Sequence, residues 1–315
     1  MSFIVAALYK FTALPDFKDL QQALLKLGKK HTLKGSLLLA DEGINGTVSG
    51  LREGIDALKK FLRDDPRFDG IEYKESSATE NPFYRYKVRL KKEIVTLGEP
   101  SANPTLKVGQ YVAPEDWNSL ISDPNVLVID TRNDYEVKMG TFKKALNPNT
   151  QSFREFPSFI RNTFQEKEKS NLKVALFCTG GIRCEKATSF LLNEGFKDVY
   201  HLKGGILKYL ETTPPEETLW EGECFVFDQR VGLKHGLEEG EHVLCYGCRH
   251  PLSPEDLKSA LYEPGVACPL CNLTTSPLKK ARAQARHEQV LLAKARGETH
   301  IGSPSKIVST PMALS

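Results

Sequence analysis

The sequence predicts a multidomain α/β protein, and three features of its 315 residues carry that expectation. In the middle of the chain, continuous apolar runs alternate with stretches of helical spacing, as strands covered on both faces of a parallel sheet require. Before them, strands and helices follow the order β-α-β-β-α-β. After them comes a turn-rich stretch whose four cysteines stand in two CxxC pairs. A content of 40% hydrophobic and 26% charged residues suits globular domains with cores of their own.

The first domain is read over residues 1–97. "FIVAALYKF" reads as a strand, residues 17–29 have helical spacing, and "GSLLLADEGINGTVSG" reads as strand, turn, strand. Gly43, Asn45 and Gly46 mark that turn, since Asn-Gly is a strong hairpin signal. Residues 52–63 give a second helix, and "YKVRLKKEIVTL" supplies a late strand or two. The order predicts a ferredoxin-like (acylphosphatase-like) α+β sandwich. Residues 98–112, rich in Gly, Pro and Ser, read as a linker.

The second domain spans 113–218. "NVLVID" (125–130), "LKVALF" (172–177) and "KDVYHL" (197–202) are its parallel strands, with helices on both faces. In such sheets ligands gather beyond the C-terminal strand ends, where Cys178 falls. Residues 219–275 read as a cysteine-rich, zinc-ribbon-like module. Cys245-x-x-Cys248 and Cys268-x-x-Cys271 stand 19 residues apart, a separation suited to a structural Zn²⁺. A reduced cluster without metal and a redox dithiol pair are the competing readings. Cys224 has no partner by spacing and reads as a buried hydrophobe. Residues 276–315 read as a basic helix carrying Lys279, Lys280, Arg282 and Arg286, followed by a disordered tail, "SPSKIVSTPMALS".

"CTGGIRC" (178–184) carries the chemistry. A cysteine at a strand end, then small residues, then a helix start, sits among inward-pointing amides and partial positive charge. Both favour a thiolate. Thr179, Gly180, Gly181 and Ile182 form the anion loop, Arg183 adds a permanent charge, and Cys184 is placed to act as a resolving thiol. Cysteine phosphatases usually have five residues between Cys and Arg; here there are four, which suits a smaller guest such as a persulfide sulfur. A structural cysteine beside a glycine-rich turn is the bland alternative.

The stretches at 126–148, 178–184 and 193–210 resemble the rhodanese family in order and spacing, over roughly 113–212. That resemblance implies a nucleophilic or persulfide-carrying Cys178, with Asp130 and Arg132 as a structural ion pair. "LLLADEGINGTVSG", "NPFYRYKVRLKKEIVTLG", "FREFP", "CTGGIRCEKA" and "WEGECFVFDQRV" together extend it. With them the chain resembles the bacterial rhodanese-domain tRNA uridine(34) hydroxylases as far as about residue 302. This implies O₂-dependent conversion of the wobble uridine to 5-hydroxyuridine, with tRNA, oxygen and a reductant of unknown identity as partners. No flavin, haem or NAD motif is visible, and none of the seven histidines forms a close pair at ligand spacing on a helix.

A persulfide-carrying sulfurtransferase acting on a small acceptor or tRNA is the alternative enzyme. A non-catalytic RNA-binding adaptor is the third class, and the presence of Cys178 counts against it. Arg85, Lys87, Arg89, Lys91 and Lys92 alternate as a second basic face, beside Tyr84 and Tyr86 as base-stacking candidates. No run reaches the roughly 18 apolar residues of a membrane span. No basic segment precedes the apolar start, so the expected location is cytoplasmic. Clustered cysteines there point to metal or catalytic thiols rather than disulfides.

Overall fold

Strand alternation builds the N-terminal domain. In β1 (Phe3–Phe11), Ala6 and Leu8 face a core completed by α1 (Phe17–Lys30) and α2 (Arg52–Arg63), with Leu24, Ile55, Leu58 and Leu62. Val5, Ala7 and Tyr9 face the other way. The computed structural model describes residues 2–297, so the expectations for the tail and for His300 lie outside the described residues.

β2 (Lys34–Ala40), β3 (Gly43–Gly50), β4 (Glu72–Ala78) and β5 (Tyr86–Leu90) complete a five-stranded sheet in the order β4-β1-β3-β2-β5. Two expectations are corrected here. The strand that closes the ferredoxin-like pattern is β4, while the expected late strand β5 is an addition running parallel to β2. β4 reads EYKESSA, whose charges and serines hide any apolar alternation. The hairpin also does not turn at Asn45 and Gly46. Ala40 pairs with Gly43, so Asp41 and Glu42 make the turn and Asn45 and Gly46 lie inside β3. Gly43, at φ +142°, closes the turn.

The second sheet is parallel, in the order β6-β10-β9-β7, from β6 (Gln110–Val112), β7 (Val126–Asp130), β9 (Lys173–Phe177) and β10 (Asp198–Leu202). Along β9, Val174 and Leu176 pack with Phe156, Ile160 and Phe190, from α5 (Phe156–Thr163) and α7 (Ile182–Asn193). Ala175 and Phe177 pack on the opposite face with Trp117 and Tyr209, from α3 (Pro114–Ser122) and α8 (Gly205–Thr212). α4 (Asp134–Val137), β8 (Gly140–Phe142) and α6 (Glu166–Lys169) fill the connections. The stretch expected as a linker is pinned down: Ala102 joins the core, as does Leu97 just before the stretch, and residues 110–112 are β6.

Residues 219–244 belong with this fold rather than with the cysteines. β11 (Trp220–Gly222) pairs with β8, and Trp220 stacks edgewise on Phe142 at 5.2 Å. β12 (Cys224–Phe225) and β13 (Gly232–Leu233) continue the segment. One compact unit therefore ends at Leu244, and a second begins at Cys245. In that second unit the basic helix α9 (Pro277–Ala295) packs Ala283 against the cysteine cluster, so helix and cluster share one small core. Among the described residues no helix is long and apolar enough to cross a membrane.

Gly205 opens α8 at φ +69°, and a Cβ there would lie 2.5 Å from the carbonyl oxygen of Cys178. Gly180, two residues past that cysteine, has nothing within 4 Å of such a Cβ. Gly205→Ala should therefore cost about 2–3 kcal/mol in denaturant unfolding, and Gly180→Ala within about 0.5 kcal/mol. Equal costs would show that the approach of α8 to the loop is not tight.

Candidate active site

β9 delivers Cys178 to the C-terminal edge of the parallel sheet, 1% exposed. The chain then turns through Thr179, Gly180 and Gly181. Ile182 and Arg183, expected as loop residues, are already the first turn of α7. Gly181 sits at φ +101°, which aims its N–H at Cys178 Sγ, 3.1 Å away. The start of α8 fastens the other side: Ile206 N–H donates to the Cys178 carbonyl at 2.9 Å and Leu207 N–H to that of Thr179 at 3.1 Å.

Burial alone would push the Cys178 thiol up. The hydrogen bond from the Cys184 thiol, the Arg183 charge, and the backbone N–H groups of Cys184 and Gly181 outweigh it and bring Cys178 down to about 5. Cys184 is fully buried against Thr131 Oγ1 at 3.6 Å. Burial and the Cys178 charge drive its own thiol well above the ordinary range. Its side chain donates a hydrogen bond to the Cys178 sulfur, a place from which a resolving thiol would also have to act.

Arg183 has a buried partner that its neighbours in sequence do not show. Both its terminal nitrogens are bound by Glu136, each at 2.7 Å, and one reaches Thr179 Oγ1 at 3.3 Å. The arginine is thus half of a buried bidentate pair. Its field still favours the thiolate, while both terminal nitrogens are turned to Glu136. Arg132 and Asp130 form the second buried pair, at 2.6 and 2.9 Å, with Arg132 stacked on Trp220.

A cavity of about 640 Å³ lies between the Cys178 loop and the uncovered face of the N-terminal sheet. Val5, Tyr9, Asn45 and Lys74 line it from the sheet, Cys178, Thr179 and Gly180 from the loop, and Phe227 from the segment beyond β12. Asn45 donates to the Ile94 carbonyl at 2.9 Å. Tyr9 donates to Glu185, the first residue after "CTGGIRC", at 2.8 Å. Lys186 beside it binds Glu42 at 2.8 Å, Glu93 at 2.6 Å and the Val95 carbonyl at 3.1 Å.

In the second unit, the sulfurs of Cys245, Cys248, Cys268 and Cys271 all lie within 4.8 Å of one another, and the group could hold a metal ion. Neighbouring sulfurs are separated by 3.7, 3.8 and 4.0 Å. A tetrahedral ZnS₄ centre with bonds of about 2.3 Å needs about 3.8 Å, so the cage fits. Of the four basic residues expected to meet RNA, Lys280 is tied to Glu263 at 2.8 Å and Asn272 at 2.9 Å. Arg286 reaches the Tyr246 carbonyl at 3.1 Å. Lys279 and Arg282 are exposed. In the N-terminal domain Arg85, Lys87, Arg89, Lys91 and Lys92 are all exposed, whereas Tyr86 packs on Gly28 and Tyr84 donates to Gln229 at 3.0 Å. Cys224 is fully buried, with its thiol pushed up to about 12.

Sequence reading missed Glu136, Tyr9, Lys74 and Glu185. Only Glu136 left a signal, as the last member of the capping box opened by Asn133. The electrostatics of the loop have a measurable consequence. Iodoacetamide alkylation of Cys178 should rise through a midpoint near pH 5 and stay level to pH 8, because only the thiolate reacts. A midpoint above 8 would mean that burial prevails over the donors.

Residues 3–94 match the family described as UPF0176 acylphosphatase like domain, and residues 113–212 match the Rhodanese-like domain. A tRNA uridine(34) hydroxylase of Rhizobium leguminosarum bv. trifolii is 55% identical over 96% of this chain and 97% of its own. One from Rhizobium etli is 56% identical over the same shares. The protein of that name from Teredinibacter turnerae is 54% identical over 98% of this chain and 95% of its own. With two matched domains in their expected places and relatives this similar along nearly the whole length, the chain belongs to the tRNA uridine(34) hydroxylase family.

Proposed function

We propose that this protein hydroxylates the wobble uridine of tRNA at C5, in the cytoplasm, with Cys178 as nucleophile. One observation carries the reading: a thiolate-favouring cysteine borders a cavity of about 640 Å³, large enough for a nucleotide swung out of its stack. C5 of uridine is a weak nucleophile. Addition of Cys178 Sγ to C6 moves the ring π pair toward the C4 carbonyl and makes an enolate whose C5 is electron-rich. Oxygen then reacts at C5. One oxygen atom stays as the hydroxyl; the other leaves as water, using two electrons and two protons from a reductant. Loss of the C5 proton and expulsion of Sγ restore the ring.

The basic residues support an RNA partner. Lys91 lines the cavity and continues the exposed row of Arg85, Lys87 and Arg89, so a phosphate backbone following β5 would lead a base toward Cys178. Lys279 and Arg282 are the residues of α9 free to meet a second stretch of backbone, and Lys280 and Arg286 hold the helix to its module. The four cysteines would hold a structural Zn²⁺, which supplies folding energy to a segment with a six-residue buried core.

Nucleoside mass analysis tests the reading. In tRNA from cells lacking the gene, 5-hydroxyuridine should disappear. It should return with the parent gene and fall at least about a thousandfold with Cys178→Ser. A missing sulfur in place of a missing oxygen would assign the sulfurtransferase instead, and product at parent level from Cys178→Ser would remove Cys178 from the reaction.

For the module, elemental analysis of protein purified without chelator should give one zinc per chain. Stripping it should open the second unit to proteases while residues 1–244 keep their resistance. Metal-free protein that is equally resistant would make the four thiols a reduced cluster.

A further inference from the structure

Polar clusters that reach the cavity from outside the thiolate loop include the Lys186 clamp, through Glu93, the Asp228–Arg230 pair, and the group formed by Tyr9, Glu185, Tyr111 and Lys74. Lys186 is saturated by two carboxylates and a carbonyl. Arg230 is held by Asp228 at 2.6 Å and Ser76 at 2.7 Å. The third cluster has an open side. Tyr9 lines the cavity that Cys178 borders. Its hydroxyl and Cys178 Sγ approach the same residue: a Cβ on Gly181 would sit 2.8 Å from Tyr9 Oη, and the Gly181 N–H points at Sγ from 3.1 Å.

Behind the hydroxyl stands Glu185, which takes the Tyr9 hydrogen at 2.8 Å. Its carboxyl is pushed upward by burial, against the lowering effects of hydrogen bonds from Tyr9 and Tyr111 and the charge of Lys74; the nearby Cys178 charge adds to the rise. The Tyr9 phenol is raised far above its ordinary value by burial and by Glu185, so it does not ionise on its own. It can accept a proton only as it passes one on. The Lys74 amine lies over the Tyr9 ring, 5.0 Å from its centre, its own pKa pushed down by burial.

We propose that Tyr9 and Glu185 are the base of this reaction, a two-step relay that removes the C5 proton after oxygen has been placed there. The inference rests on the hydroxylase reading above. In the step, the C5–H bond breaks and its pair becomes the C5–C6 π bond. The C6–S bond breaks, and its pair returns to Cys178 as thiolate. Tyr9 Oη takes the proton while its own proton passes to Glu185. Charge is conserved: one carboxylate is neutralised as one thiolate is released. No further oxidant or reductant enters this step. Tyr9 touches the base being modified and is a catalytic residue; Glu185 acts through it and is a positioning and proton-storing one.

The test uses the full chain, tRNA, oxygen and reductant with Tyr9→Phe, Glu185→Gln and Cys178→Ser. Tyr9→Phe keeps the ring and its edge contact with Phe11. Turnover should fall about a hundredfold or more in the Tyr9 and Glu185 variants. A protein–tRNA adduct stable to denaturation should accumulate in both, and deuterium at C5 should slow them further. A merely structural role would lower the rate without trapping the adduct or exposing an isotope effect. The inference is overturned if Tyr9→Phe turns over at the parent rate, or if it slows with no adduct. If instead Cys178→Ser retains product, the covalent reading falls and this inference with it, whereas an inactive Cys178→Ser beside an unimpaired Tyr9→Phe removes the relay alone.

Discussion

The Lys186 clamp is the constraint on which the site depends. An ammonium 2% exposed costs several kcal/mol unless it is fully paired. Here it is met by Glu42 from the β2–β3 turn, by Glu93 beyond β5 and by the Val95 carbonyl. Lys186 itself stands on α7, one turn past the thiolate loop. Two stretches of the N-terminal domain, the β2–β3 turn and residues 93–95, are thereby fixed over the parallel sheet. The cavity exists because they are, and so does the meeting of Tyr9 with Glu185, residues 176 positions apart in the chain. Each domain alone would offer half a site: an open sheet face on one side, a loop with an exposed thiolate on the other.

Within that frame the charges near Cys178 are arranged in neutral pairs. Arg183 is cancelled by Glu136 and Arg132 by Asp130, both pairs buried. The thiolate stands beside these pairs, and Glu185 and Lys74 also feel its charge. Bringing a cysteine from its ordinary range near 8.5 to about 5 favours the charged form by roughly 5 kcal/mol, and this is done against burial. Short-range donors share that work: the Cys184 thiol, the N–H groups of Gly181 and Cys184, and the nearby guanidinium. Such donors are already oriented before any substrate arrives, which is the condition for electrostatic preorganisation.

How much of this could be read from the chain depends on the range of the signal. β7, β9 and β10 were legible because strands buried on both faces are continuously apolar, and the thiolate loop because its parts are consecutive. β4 was not, since a half-buried edge strand of seven residues tolerates Glu, Lys and Ser. The Asn-Gly signal misplaced the hairpin by a few residues because Asn45 is used to bind the Ile94 carbonyl rather than to turn the chain. Arg183 was found, but its partner was not. A buried guanidinium demands a carboxylate, and nothing local to "CTGGIRC" says that it comes from residue 136. Tyr9, Lys74 and Glu185 converge from β1, β4 and α7, and no spacing rule spans such separations.

The cysteines themselves show why residue type alone decides little. Cys224 is as buried as Cys178, but few donors attend it, and its thiol is pushed up to about 12. Cys178 has the same enclosure plus a loop of N–H groups, and moves the other way. Cys184 donates a hydrogen bond to that arrangement, and its own thiol is pushed up as its neighbour's is brought down. The four cysteines of the second unit sit at the tips of two knuckles, where the Cys268 N–H meets the Cys271 sulfur at 3.4 Å. Held within 4.8 Å of one another, their sulfurs form a cage that could hold a cation. The same side chain is thus a buried thiol, a favoured thiolate, a hydrogen-bond donor or one wall of a cage that fits a metal ion, according to what surrounds the sulfur. In each case that surrounding is set by backbone direction at the end of a strand, the start of a helix or the tip of a knuckle.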